Sequence, residues 1–346
     1  MSSGGLADLR ALMALPWGAG VPALEGAEGL GRVWLDGALY GADGPATDWA
    51  GGRAVLCRLD ADALAALLPR ISAASVLLYQ CAMPDWAELA AVQGMQRLGI
   101  ERPQAAVDLL DIGQSGALQW LGLRDLRHQS APLDLGGLLG LSALGALALG
   151  GVAGRMSGRM QIASLAPLAD LPALETLHLD AVEVPEEAGG GLTPLSGCVA
   201  LRNLHLPNSF PTGEYAMLSN ALTQVTCARF APWLACAIRG AGGRLVADTS
   251  ITGQHKPALL AREDAARIAR YERQWADMTG QDGWGAAPGP MTAKTPDHPP
   301  APKIPTETPI NIAGKADASD SDSDSERTII APLPSSLTGR DDGAGG

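Results

Sequence analysis

A six-residue pattern, Leu-x-x-Leu-x-Leu, recurs along the chain and constrains its fold more than any other feature. Two copies begin at Leu174 and Leu201, and two more begin at Leu118 and Leu144. Looser versions, in which other apolar residues replace leucine, begin at Leu30, Ala54, Ala73, Met95 and Leu222. Because strand side chains alternate between two faces, the Leu-x-Leu end of each copy predicts a short strand with one buried face.

The spacing of the copies identifies the type of repeat. Repeats of about 20 to 29 residues with one short strand each are typical of leucine-rich-repeat solenoids, and most of the intervals here fall within that range. We therefore predict an α/β fold with a curved parallel sheet on the concave side and short helices and turns on the convex side. Residues 59–71 and 84–98 have helical apolar spacing and predict helices. Residues 135–144 and 165–174 are richer in Gly and Pro and predict irregular or 3₁₀ turns.

The chain divides into four predicted regions. They are an N-terminal cap segment, the solenoid, a C-terminal repeat with its cap, and a tail, at residues 1–29, 30–206, 207–279 and 280–346. The tail is rich in Pro, Ser and Asp and has ten acidic and five basic residues. Such a segment buries too little apolar surface to offset the entropy of ordering, so we expect it to be disordered.

The C-terminal cap is expected to cover the last apolar layer of the solenoid. Residues 212–222, with Thr212 as N-cap, and residues 260–278 predict helices. Short strands are predicted at residues 224–227 and 244–252.

Three motifs in this region resemble the closing part of bacterial leucine-rich-repeat proteins of unassigned activity. Those proteins carry an FPT-x-EYA helix, a TG-x-x-KP turn and a final DA-x-RI-x-x-Y helix. The matching residues here are Phe210, Pro211, Thr212, Glu214, Tyr215 and Ala216; Thr252, Gly253, Lys256 and Pro257; and Asp264, Ala265, Arg267, Ile268 and Tyr271. The resemblance extends from Leu204 to Trp275 and departs at Ala258, where a bulkier residue is expected. It implies a C-terminal cap but no catalytic residue.

Composition narrows the classes of function. A net charge of −12 argues against a general nucleic-acid binder, which needs clustered Lys and Arg. The five cysteines contain no C-x-x-C pair, so we expect free thiols in a reducing, cytoplasmic setting and neither a metal nor another cofactor. Asp8 and Arg10 interrupt the first apolar stretch, which argues against a signal peptide.

One uncharged stretch, from Leu135 to Gly154, is long enough to be weighed as a membrane span. Seven of its residues are glycine, each of which costs roughly 1 kcal/mol relative to Ala in a helix interior. The stretch also contains the copy that begins at Leu144, in register with its neighbours. We therefore interpret it as part of the repeats and expect no membrane span.

Strand positions that alternate with the buried leucines are expected to face the concave side. The central column predicted in this way is Trp34, Arg58, Leu77, Gly99, Gly122, Ala148, His178 and His205. Its last two members should be cross-strand neighbours roughly 5 Å apart. Together with the flanking columns, they give the candidate binding residues Trp120, Arg124, Thr176, His178, Asp180, Asn203 and His205.

Three interpretations of the two histidines stay open. They contact a partner together with Asp180, they hold a metal, or they are ordinary solvated residues of a sheet face. Two histidines without a third placed ligand rarely bind zinc, so the metal interpretation is the weakest.

The sequence contains no Walker A loop, G-x-S-x-G elbow or H-E-x-x-H pair. Solenoids present long curved surfaces, and we expect a non-enzymatic protein–protein interaction scaffold whose partner the sequence does not identify. The alternative is a translocated bacterial effector or toxin-associated protein whose repeats select a target protein. The oligomeric state is not indicated.

Overall fold

The computed structural model describes residues 31–280, apart from 37, 85, 111, 113–114, 152–157, 186–190 and 241–242. The N-terminal cap segment 1–29 and nearly all of the predicted disordered tail 280–346 lie outside the described residues. The framework is a nine-stranded sheet. Its strands are β1 Arg32–Leu35, β2 Ala38–Tyr40, β3 Trp49–Cys57, β4 Ile71–Tyr79, β5 Arg97–Glu101, β6 Trp120–Arg124, β7 Ala146–Gly150, β9 Thr176–Asp180 and β11 Asn203–His205.

The sheet runs in parallel from β3 to β11, one strand for each repeat. The leucines of the pattern project from one face into a continuous core, where Leu121, Leu147 and Leu177 are 0–1% exposed and Leu204 of the last copy is 5% exposed. Replacing one such leucine by alanine costs about 2–5 kcal/mol, because the removed side chain leaves a cavity. The predicted leucine-rich-repeat solenoid is confirmed.

The first two copies of the pattern differ from their prediction. Val33 and Leu35 of the first copy do not lie in a parallel strand, because β1 and β2 form an antiparallel hairpin and β1 pairs antiparallel with β3. In β3 the residues in register with the core-facing pair Val76 and Leu78 are Ala54 and Leu56, three positions before those predicted. Arg58 therefore follows the strand, and Val55 occupies its expected place in the central column.

The convex side follows the prediction in type and differs in length. Helices α1 Ala61–Leu67 and α2 Trp86–Ala90 form the first two returns, and both are shorter than predicted. Asp60 begins α1 by accepting a hydrogen bond from the Ala63 amide. The 3₁₀ turns lie at Leu68–Arg70, directly after α1, and in the later returns at Leu135–Gly140, Ala166–Asp170 and Thr193–Gly197.

Two short elements of the later repeats, β8 Met160–Gln161 and β10 Val182–Glu183, pair in parallel outside the main sheet. The uncharged stretch that begins at residue 135 forms a 3₁₀ turn and then β7. Within the described part of the chain, no helix is long and apolar enough to cross a membrane.

The C-terminal cap consists of α3 Thr212–Ala221, the antiparallel strands β12 Trp233–Arg239, β13 Leu245–Ile251 and β14 Ala258–Leu259, and α4 Ala265–Thr279. The helix and strand predictions for 212–222, 244–252 and 260–278 are confirmed in kind. The strand predicted at 224–227 is reduced to a single parallel bridge between Thr226 and Asn203. Trp275 of α4 is 1% exposed within the core of the solenoid, so the cap closes its end.

A hydrogen bond and a cation–π contact link the three C-terminal motifs. Thr212 is not the N-cap of α3, a position that Pro211 occupies; its hydroxyl instead donates to the Thr252 carbonyl at 2.9 Å. The Gly253 amide donates to Asn208 Oδ1 at 2.7 Å, and the Lys256 ammonium lies 5.3 Å from the ring centroid of Tyr271. These motif residues therefore have a structural role in joining the cap to the last repeat.

Candidate functional site

The concave face divides into an apolar part and a polar part. In the strands up to β7 the outward side chains include an apolar concave cluster, every member of which is at most 5% exposed: Trp34, Val55, Cys57, Leu77, Tyr79, Trp120 and Ala148. Trp120 lies across Gly122, where an added Cβ would meet the indole at 2.1 Å. The candidate residue Trp120 is thus buried against its own sheet.

Polar side chains that are accessible gather at the C-terminal end of the sheet. Asn203 and His205 of β11 are exposed, and Thr176 and Asp180 of β9 are half-buried. The Asn203 amide lies 3.4 Å from the Thr176 hydroxyl across the two strands. We call these four residues the C-terminal patch.

The two histidines meet as the register predicts. His178 pairs with His205 in the ladder, and their rings stack with centroids 4.0 Å apart and planes 5° apart. His178 is 5% exposed, and its burial, followed by the nearby His205 and Arg124, lowers its pKa to about 3. His178 is therefore neutral at physiological pH and supports the ring of His205, whereas His205 is the member that a partner can reach.

Arg124, another candidate, is directed toward an acidic neighbour within the fold. Its Nη1 atom lies 3.9 Å from Glu101 Oε1, and the Glu101 side chain is 3% exposed. This geometry assigns Arg124 mainly to neutralising a buried carboxylate, because an unpaired buried charge is costly.

A polar ladder along the carboxyl ends of the strands was not predicted. Arg58, Gln80, Arg102 and Asp125 each follow a strand with φ between 51° and 54°. Arg58 Nε donates to Gln80 Oε1 at 2.7 Å, and Arg102 Nε donates to Asp125 Oδ2 at 2.8 Å. The signal in the sequence is a polar residue two positions after the last apolar residue of a copy. Because a left-handed conformation is unfavourable for Arg and Gln, the hydrogen bonds offset part of its cost at Arg58, Gln80 and Arg102.

A cavity of about 260 Å³ opens beside the C-terminal patch. Charged, polar and apolar residues line it, among them Asp180, His205, Asn208, Ala228, Arg229 and Leu234. It lies where β11 ends and the chain of the next repeat passes by, so the patch and the cavity form one continuous surface. Sequence reasoning found Asp180 and His205 but not Arg229, which lies outside the leucine pattern.

Among the described residues, no group of three His, Cys, Asp or Glu side chains is placed to hold a metal ion. Burial raises the pKa of Cys81 to about 12 and that of Cys198 to about 11, so these thiols are protonated at neutral pH.

Two solved structures of Listeria monocytogenes str. 4b F2365 are similar to the chain. An internalin is 15% identical, with a TM-score of 0.35, and the match covers 49% of this chain and 51% of the internalin. Internalin C2 is 18% identical, with a TM-score of 0.35, and the match covers 50% of this chain and 69% of internalin C2. The chain thus spans about half the length of the first. No protein-family model and no curated protein matches it.

Proposed function

We propose that this chain is a non-enzymatic protein–protein interaction scaffold that binds its partner at the C-terminal end of the concave face. One observation carries the proposal: the accessible polar side chains of the C-terminal patch adjoin a cavity, whereas the centre of the face in the preceding strands is occupied by the buried apolar concave cluster. A rigid sheet that holds a polar patch beside a pocket provides the fixed geometry that specific recognition requires.

The proposed contact uses His205 and Asn203 at the centre, with Thr176 and Asp180 beside them. The first two are exposed side chains on the terminal strand of the sheet, so a partner reaches them without rearranging the repeats. The five free cysteines agree with a reducing, cytoplasmic location for the scaffold.

Affinity capture from a lysate of the source cells, followed by mass spectrometry, tests the proposal. The bait is the full chain, compared with a His205→Ala/Asn203→Ala double variant. A matched control, Arg262→Ala/Glu263→Ala, changes two exposed residues of the C-terminal cap, away from the concave face. We expect the patch variant to lose at least about tenfold of the captured partner, in line with the loss of one or two interface anchors, and the control to keep it.

Equal capture by the patch variant and the wild type would contradict the proposed site, because it would place the partner elsewhere on the chain. Capture by a second bait that lacks residues 281–346 separates any contribution of the tail from that of the repeats. A partner that requires only the tail would contradict the proposal as well.

A further inference from the structure

The cavity beside the C-terminal patch lies at a point where the pairing between two chain segments ends. The Leu204 amide donates to the Thr226 carbonyl, and the Thr226 amide donates to the Arg202 carbonyl. Among the backbone hydrogen bonds of the described residues, none continues this ladder from Leu204 or Leu206 to Ala228, as a longer parallel pairing would. Backbone of the two segments therefore borders the cavity, together with the side chains of His205 and Asp180.

Among the described residues, no acidic group is paired with the positive charge at the cavity. Arg229 is one of the lining residues, and its Nη1 atom is buried without a hydrogen-bond partner in the part of the chain that the structure describes. The titratable groups that act on it are Tyr215, Cys227 and Cys236. Burial raises the pKa of Tyr215 to about 12 and that of Cys227 to about 11, and burial also raises the pKa of Cys236, so none of the three carries a negative charge at neutral pH.

A negative charge lines the same cavity. Asp180 ends β9 and is half-buried, and among the described residues no ion pair joins it to Arg229. Arg229 is half-buried, and a guanidinium nitrogen that is removed from water without an acceptor is costly. The cavity thus offers a donor and an acceptor of opposite charge that do not satisfy one another.

We propose that this cavity binds an α-carboxylate with an adjacent N–H donor, the group found at the C-terminal end of a peptide chain and in a free amino acid. The carboxylate accepts from Arg229, because planar guanidinium donors match carboxylate oxygens. The neighbouring N–H donates to Asp180. A volume of about 260 Å³ is suited to one terminal residue, and the end of the backbone ladder beside it leaves room for the chain that precedes that residue.

The source of this carboxylate rests on the proposed function: a partner protein bound at the C-terminal patch would insert its C-terminal residue into the cavity. A free amino acid has the same chemistry and needs no partner. The binding of each source is therefore measured separately.

The test uses the full chain and three probes: acetyl-Ala-Ala with a free carboxylate, the same dipeptide as its carboxamide, and L-alanine. Binding is followed by NMR through the Cε1–H signal of His205, which lines the cavity. We expect the free-carboxylate dipeptide to shift this signal saturably and to bind at least about tenfold more tightly than the carboxamide, as loss of a charge-assisted hydrogen bond implies. If L-alanine binds and the dipeptide does not, the carrier is the free amino acid and the insertion of a partner's chain end is overturned.

Variants assign the contacts. Arg229→Gln is expected to lower the affinity for the free-carboxylate dipeptide at least about tenfold, and Asp180→Asn is expected to lower it less. The exposed control Arg262→Gln should leave this affinity unchanged. Thermal unfolding of each variant shows whether it has folded. Removing an unpaired buried charge is expected to keep or raise the melting temperature of Arg229→Gln.

The inference is overturned if acid and amide bind equally, if folded Arg229→Gln binds like the wild type, or if no probe binds at concentrations on the order of 10 mM. These outcomes do not depend on the capture experiment. If a partner is captured through the C-terminal patch and its capture is unchanged in Arg229→Gln, the proposed scaffold is supported and the proposed chain-end pocket is contradicted. If the dipeptide binds but no partner is captured, the pocket is supported and the scaffold is contradicted.

Discussion

The imidazole rings of His178 and His205 stack in parallel across two neighbouring strands, with centroids 4.0 Å apart and planes 5° apart. The buried ring of His178 fixes the position of the exposed ring of His205, since the first is 5% exposed and has few alternative rotamers. The stack makes one residue of the proposed binding surface depend on a neighbour that a partner does not touch.

The stack predicts a pH dependence of stability. The pKa of His178 is about 3 in the folded protein and about 6.5 when unfolded, so the unfolded chain binds an additional proton at intermediate pH. The stability that neutral His178 contributes is complete above pH ~6.5 and is lost as pH falls toward 3, at up to ~1.4 kcal/mol per pH unit. Urea unfolding at pH 7, 6 and 5 should show this loss in the wild type and a smaller one in His178→Phe.

His128 provides the control for that experiment, because its side chain is exposed. His128→Asn should retain the wild-type dependence on pH. A His178→Phe protein whose stability falls with pH as steeply as that of the wild type would show that other groups cause the loss.

The close contact between Trp120 and Gly122 predicts that Gly122 tolerates no side chain. An added Cβ would lie 2.1 Å from the indole, so Gly122→Ala must displace Trp120 from the apolar concave cluster. We expect a loss of about 1–3 kcal/mol in the free energy of unfolding and a changed near-ultraviolet circular dichroism spectrum. Gly116→Ala, where the added Cβ meets nothing within 4 Å, is the control and should leave both unchanged.

Replacing Trp120 by Leu in the same chain tests whether the indole causes the loss of stability in Gly122→Ala. If the indole is what opposes the new methyl group, Gly122→Ala should cost less in the Trp120→Leu background. An equal cost in both backgrounds would assign it to the backbone.

Particular residues show how much of the fold and of the candidate site could be predicted from the sequence. The copies at Leu174 and Leu201 placed His178 beside His205 correctly, because a repeat of fixed register leaves one possible cross-strand partner. The same reasoning placed Arg58 wrongly, since β3 is nine residues long and its core-facing positions lie three residues earlier than the pattern suggested. Arg229 stands two positions after the loose copy that begins at Leu222, but a single bridge replaces the regular strand there, so the repeat did not place its side chain at the cavity.

The polar ladder predicts a dependence of stability on Asp125. This residue is 5% exposed and accepts hydrogen bonds from Arg102 Nε at 2.8 Å and from Arg127 Nε at 2.9 Å. Asp125→Asn keeps a residue type that tolerates φ of 52° and removes the charge. We expect a loss of about 1–3 kcal/mol, measured by urea unfolding, because two guanidinium groups lose a negatively charged acceptor and one of its two oxygens.

The exposed pair Arg267–Asp264 is the control for the ladder. Arg267→Gln should change stability by less than about 1 kcal/mol, since solvent screens exposed pairs. A cost for Asp125→Asn no larger than this would mean that the ladder does not stabilise the strand ends.

The junction between the cap and the last repeat depends on Gly253. Its φ of +130° is a conformation that residues with a Cβ rarely adopt, and an added Cβ would lie 2.0 Å from Thr212 Oγ1. Gly253→Ala would therefore strain the turn and break the bond from the Thr212 hydroxyl to the Thr252 carbonyl. We expect a loss of about 2–4 kcal/mol in the free energy of unfolding. Gly213→Ala, in α3 with no atom within 4 Å, should instead leave stability unchanged or raise it by up to about 1 kcal/mol.

Hydrogen exchange followed by mass spectrometry locates the effect of Gly253→Ala. The variant should speed exchange in α4 before the central strands, because the turn joins the cap to a solenoid whose repeats contact mainly their neighbours. Uniformly faster exchange along all strands would show that cap and solenoid unfold as one unit.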